Sequence, residues 1–214
     1  MTGPLLCTWT VGLLLAAAAT PLLAAEGPAA TTVTACDRLI AHPEDPDRVA
    51  PGVETSAVDL PRAIAACTVD VDKAAPGSPD YGRLQYQLGR AYFYDQQIQR
   101  ALPYLERAAA AGSEQAQFVL GYVIDEGLQG IAPNRCKVED LWVRSARAGR
   151  LAAQVSYPHH VLRGRFSACR IQATTQEMQS FLATAAARPG IDYYQGLLVS
   201  VLQGELKASL AATK

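Results

Sequence analysis

Residues 86–149, YQLGRAYFYDQQIQRALPYLERAAAAGSEQAQFVLGYVIDEGLQGIAPNRCKVEDLWVRSARAG, decide the fold. The stretch reads twice as a helix carrying Leu-Gly, a turn, and a second helix that ends in small residues and a glycine. Leu88-Gly89 returns 32 residues later as Leu120-Gly121, and the closing Gly112 returns 37 residues later as Gly149. A period in that range marks stacked helical hairpins. One such unit cannot bury its apolar face alone, so the units stack, and the stack offers an extended surface for binding.

Helical periodicity supports the reading within each unit. Leu84, Leu88, Ala91 and Tyr92 form one stripe, and Ile98, Ala101, Leu102, Leu105, Ala108 and Ala109 form its partner across a turn at Asp95-Gln96-Gln97. Pro103 falls inside the second helix, where it removes one hydrogen bond and bends the axis without ending it. The second unit repeats the scheme with Ala116, Val119, Leu120, Val123 and Ile124, a longer turn at 126–135, and then Val138, Leu141, Trp142 and Ser145. A third unit is degraded. Tyr157-Pro158 stands in the place of Leu-Gly, and Met178, Phe181, Leu182, Ala185 and Ala186 restore the stripe. A last helix with Tyr194, Leu197, Leu198, Val201 and Leu202 caps the stack. The tail at 207–214 is expected to fray. The expected fold is all-α, a short solenoid over 79–206.

Residues 26–78 read as a helical leader. A short helix at 34–41 carries Cys36, and 42–56 (HPEDPDRVAPGVETS) is a loop by its prolines and charges. Asp59 caps a helix that runs to Lys73, with Pro61 in the first turn, where its missing N–H does no harm. The expected apolar face is Ala63, Ile64, Cys67 and Val71.

Residues 1–25 carry no charged side chain, and Val11–Ala19 is apolar throughout except for Gly12. A run of nine residues suits the apolar segment of a signal peptide and is too short to span a membrane. Cleavage is expected near Ala24 or Ala25, which gives a periplasmic or secreted protein. Beyond this segment lie Cys36, Cys67, Cys136 and Cys169. An even count in an exported chain implies disulfides, with three connectivities open. Geometry favours Cys36–Cys67, between two leader helices joined by a loop, and Cys136–Cys169, between equivalent turns of successive hairpins. The net charge of −1, with both signs interspersed, excludes a nucleic-acid footprint, which needs clustered Lys and Arg.

The segments L-G-R-A-Y…A-L-P-Y-L-E-R-A-A-A-A-G and L-G-Y-V-I-D-E-G…L-W-V-R-S-A-R-A-G resemble the Sel-one-like repeat, a relative of the tetratricopeptide repeat. The resemblance covers 81–149 well and 150–190 poorly, with Tyr104 and Leu141 at the aromatic position of the pattern. It implies an adaptor that holds protein complexes together, with no cofactor, and some exported bacterial members are disulfide-bonded.

Candidate contact residues are Tyr86 and Tyr94, off the apolar stripe of the first hairpin, with Arg83, Arg90 and Arg144 on polar faces. The competing reading packs the tyrosines across the leader helices and leaves the arginines solvated. His159-His160 is the one histidine pair, but adjacent helical residues point about 100° apart, so no metal site is assigned. No nucleophile motif is present, and the acids Asp45, Asp47, Asp125, Glu126, Glu139 and Asp140 read as solvated turn residues or caps. The expected function is therefore a non-enzymatic, exported scaffold or regulatory adaptor for a protein partner. An envelope hydrolase or a cell-wall glycan-binding accessory protein is the alternative.

Overall fold

The computed structural model describes residues 31–212, and among them there are helices and no strand. The helices are α1 (Ala35–Ile40), α2 (Leu60–Lys73), α3 (Tyr81–Tyr94), α4 (Ile98–Ala110), α5 (Glu114–Asp125), α6 (Arg135–Arg147), α7 (Leu151–Leu162), α8 (Thr175–Ala186) and α9 (Tyr193–Ala212). The expected signal segment, residues 26–30 and residues 213–214 lie outside the described residues.

Helix boundaries follow local chemistry that repeats along the chain. Ser113, Asn134 and Thr174 each accept a hydrogen bond from the backbone N–H three residues on, satisfying a donor the helix itself leaves open. Asp59 does the same for α2, ahead of Pro61. At the other end, α4 and α6 close identically. Gly112 and Gly149 take φ of +99° and +104°. Around them Ser113 N–H bonds Ala108 O and Gly112 N–H bonds Ala109 O, while Arg150 N–H bonds Ser145 O and Gly149 N–H bonds Ala146 O. This is the Schellman closure, and its left-handed residue is why glycine recurs there.

The pairs α3/α4, α5/α6 and α7/α8 are antiparallel hairpins, and each also packs on the helix before and after it. One core runs from Cys36 to Leu206, so the leader and the repeats share it. The Leu-Gly positions mark close helix approach. A Cβ on Gly121 would sit 2.3 Å from Trp142 Nε1, and one on Gly89 would sit 2.9 Å from Leu105 Cδ2. Pro103 stands inside α4, and the helix continues through it.

Both disulfides join the pairs that the sequence geometry favours. Cys36–Cys67 ties α1 to α2 with Cα atoms 4.5 Å apart, and Cys136–Cys169 ties the start of α6 to the segment after α7 at 5.3 Å.

Residues 207–212 belong to the last turns of α9, in which Leu206 is 1% exposed. Of the apolar positions named for the capping helix, Leu202 alone is buried. Val199, Leu202 and Leu206 are buried, while Tyr194, Leu197, Leu198 and Val201 are 45–79% exposed. The helix is apolar on nearly every side, so periodicity alone selects no face; packing on α7 and α8 makes the choice.

Candidate interaction surface

The surface is built from α3 outward. Arg83, Gln87, Arg90 and Tyr94 fall at i, i+4, i+7 and i+11, one polar stripe on the side of α3 away from its apolar face. By periodicity alone this stripe belongs in solvent. Yet Arg83, Gln87 and Arg90 are only 3%, 0% and 2% exposed.

α1 covers the first part of that stripe, and residues 41–58, the segment between α1 and the start of α2, cover the rest as a strap. Arg83 pairs with Asp37 of α1 and with Asp80, and Gln87 Nε2 donates to Asp37 Oδ1 at 2.9 Å. Burial disfavours the Asp37 carboxylate, but hydrogen bonds from Arg83, Thr34 and Gln87 outweigh it and hold the pKa below its usual value. Arg90 donates to Ile40 O and, at 3.2 Å, to Val53 O, while its Nε reaches Tyr94 Oη at 3.1 Å. Tyr94 Oη also accepts from Thr55 Oγ1 at 3.2 Å. Buried guanidinium groups are tolerable only when their donors are used, and here backbone carbonyls and carboxylates use them.

The strap reaches beyond the first hairpin. Gln115 of α5 donates to Glu44 O at 2.9 Å, and Arg150, just before α7, pairs with the Glu44 carboxylate. Asp45 is 1% exposed; its Oδ1 accepts from Asp47 N–H, and its Oδ2 has no hydrogen-bond partner. Burial pushes the Asp45 carboxyl up to about 6. Burial, with Arg90 and Arg150 nearby, pushes the His42 imidazole down to about 4. Glu114, at the start of α5, is raised to about 7, chiefly by burial.

Three clefts use the strap as a wall. One of about 480 Å³ is lined by Pro43, Pro46, Arg48, Glu114 and the Arg188-Pro189 corner. A second of about 290 Å³, across the Glu44–Arg150 pair, has Leu151, Val155 and Leu198 along it. The largest, about 690 Å³, lies between Asp47, Val49, the 77–83 segment and Arg107.

No family model matches the sequence, and no curated protein is similar to it in sequence. Solved structures do match in shape. A protective antigen of uropathogenic Escherichia coli strains, displaying an SLR fold, superposes with a TM-score of 0.50 at 18% identity; the match covers 72% of this chain and 35% of the antigen. A Sel1 repeat protein from Oxalobacter formigenes gives a TM-score of 0.50 at 19% identity, over 65% of this chain and 98% of that one. The fold is a Sel1-like repeat solenoid. This chain spans about a third of the antigen's length.

On this Sel1-like stack, three of the expected contact residues cannot meet a partner. Tyr86 is 1% exposed, Arg83 is spent on Asp37 and Asp80, and Arg90 on the carbonyls of Ile40 and Val53. Tyr94 is half-buried, with its hydroxyl engaged. The cause is non-local: the element covering the stripe lies 30–50 residues away in sequence, beyond the reach of any periodicity argument. Arg144 alone is exposed, on the outer side of α6, where it pairs with Asp140 at 2.9 Å.

Several acids expected in solvent are also buried. Glu139, 1% exposed, accepts from Tyr157 Oη at 2.8 Å and from Gln172 N–H and Nε2 at 2.8 and 2.9 Å. This pins the 163–174 segment of the degraded third unit onto α6. Asp125 is held by Arg165 at 2.8 Å. His160 packs against Trp142, ring centroids 5.0 Å apart, and its pKa is lowered, chiefly by burial. Among the described residues, no group of three or more His, Cys, Asp or Glu is gathered to hold a metal, and no helix is long and apolar enough to cross a membrane.

Proposed function

We propose that the protein is an exported interaction scaffold, periplasmic or secreted, whose partner docks along the strap-walled clefts rather than on α3. The observation that carries this reading is the arrangement around Glu44–Arg150. Two clefts flank the pair, one edged by Arg48 and Arg188, the other floored by Leu151, Val155 and Leu198. A partner segment with a carboxylate for the arginines and an apolar side chain for the floor fits that division. Two disulfides and a continuous core keep the surface rigid, which lowers the ordering cost of binding. The disulfides also suit an oxidising compartment, in keeping with a signal segment at 1–25.

The test is capture with chemical cross-linking from envelope extract. The variants are an Arg48→Glu/Arg188→Glu double mutant and, separately, Arg144→Glu. A protein retained by wild type and by Arg144→Glu, but lost with the double variant, is the expected result. Loss with Arg144→Glu alone would move the contact to the outer side of α6. Retention by every variant would overturn the cleft as the docking place.

A further inference from the structure

The last helix presents an apolar face that no described element covers. Tyr193 and Tyr194 are 76% and 79% exposed, and Leu197 and Val201 are 51% and 49% exposed. A helix at the edge of a repeat stack ordinarily turns a polar face outward. Here no charged residue interrupts the surface between Asp192 and Glu205, and Glu205 is neutralised by two hydrogen bonds from Arg163, at 2.9 and 3.0 Å.

The exposed positions carry a register. Tyr194, Leu197, Val201, Gly204 and Ala208 follow a three-four spacing, the seam by which two helices pack along their length. The seam is graded in size: its first half is bulky and its second half is small. Around Gly204 there is open space, with no atom within 4 Å of where a Cβ would stand.

From this we infer that α9 is a self-association surface, on which a second copy of the chain docks its own α9 antiparallel about a two-fold axis at Val201. In that register Tyr194 and Leu197 of one copy lie over Ala208 and Gly204 of the other, bulk against gap at both ends. A parallel pairing would instead crowd the tyrosines together and leave Gly204 facing Gly204 across a void. The antiparallel arrangement also brings Lys207 of one copy within about one helical turn of Asp192 of the other. Area is consistent with a pair of copies. Two tyrosines at three-quarters exposure leave ~150 Å² apiece in water, given the size of aromatic side chains. With Leu197 and Val201 each copy offers roughly 500 Å², so two copies bury about 1,000 Å², the lower bound for a specific interface. The contact is isologous, so it closes at two copies and does not polymerise.

The experiment uses the full chain. Light scattering after size exclusion should give a dimer. Leu197→Glu with Val201→Glu should weaken association at least about tenfold by facing like charges across the axis. Both residues are half-exposed, so the far-UV spectrum and melting of the separated copies should persist. In a Cys7→Ser background, oxidised Val201→Cys should cross-link to itself. A mixture of Tyr194→Cys and Ala208→Cys chains should cross-link where neither does alone. A monomeric wild type overturns the proposal, whether residues 1–30 or another protein then cover the face. So does a dimer indifferent to the glutamates, or one in which Tyr194→Cys cross-links to itself.

Discussion

Gly121 offers the sharpest test of how closely the helices approach. Replacing it with alanine places a Cβ 2.3 Å from Trp142 Nε1 and 2.5 Å from Cδ1. The indole cannot simply swing away. It is 3% exposed, donates from Nε1 to Phe118 O at 3.1 Å, stacks on the Phe118 ring, and meets Phe166 edge-on. Overpacking of this kind costs about 1–3 kcal/mol. Pushing the indole off Phe118 O strands a buried N–H at a further ~1–3 kcal/mol. Alanine offsets about 1 kcal/mol of this through its helix propensity. The net loss is centred near 3 kcal/mol, a fall in Tm of about 6–12 °C for a chain of this size.

Two other glycines calibrate the result. Gly89→Ala presses on Leu105, whose Cδ2, Cγ and backbone N would lie 2.9, 3.0 and 3.2 Å from the new Cβ in a residue with no exposed surface, so it too should destabilise, by about 1–2 kcal/mol and less than Gly121→Ala. Gly196→Ala in α9 meets nothing within 4 Å and should stabilise by up to about 1 kcal/mol. The assay is thermal and urea unfolding of all three variants, with near-UV circular dichroism reporting the packing of Trp142. If Gly121→Ala melts at or above wild type, the indole does not lie across α5 and the account of why Leu-Gly recurs is wrong.

The strap gives a pH-dependent prediction. The Asp45 pKa is about 6 when folded against 3.8 as its reference, so between those values the folded state holds a proton the unfolded state has lost. Asp45 therefore makes stability fall as pH rises from about 4 to 6, and the full penalty remains above 6. His42, depressed to about 4, acts oppositely across about 4 to 6.5, because there the unfolded state holds the extra proton. Asp45→Asn should thus raise stability at pH 7 by about 1–3 kcal/mol and leave it little changed at pH 4 in a pH series of melts, in which Glu114, raised to about 7, opposes the rise due to His42. Replacing Cys136 and Cys169 by serine opens a loop of sequence separation 33 and should cost about 3–4 kcal/mol in the chain-entropy account, read as a lower urea midpoint. A midpoint unmoved in the double serine variant would mean that the tie contributes nothing to holding the 163–174 segment.

Much of the fold is legible in the chain because its signals are local. Leu-Gly, the closing Gly112 and Gly149, the caps at Asp59, Ser113, Asn134 and Thr174, and the stripe spacing each act within one or two helical turns. Together they specify helices, hairpins and the order of stacking. The cysteine pairs follow from that order, since Cys136 and Cys169 fall in neighbouring turns of the stack. The candidate site was not legible in the same way. Arg83, Gln87, Arg90 and Tyr94 form a polar stripe whose spacing announces solvent, yet the stripe is the seat of the strap. Nothing in local spacing states that Ile40 O, Val53 O and Asp37 will arrive there. Asp45, Asp125 and Glu139 read as turn acids for the same reason, since their burial depends on segments distant in sequence.

The sequence by itself determined an all-α repeat, its hairpin boundaries and the glycines that let helices touch, because helix period, capping and left-handed turns are short-range physics. Only the tertiary structure decided which polar face of α3 is covered, which apolar face of α9 is left bare, and where clefts remain. Those outcomes depend on how elements far apart in sequence divide a limited amount of surface between them, and α9, apolar on nearly every side, carries no periodicity that could have made the choice in advance.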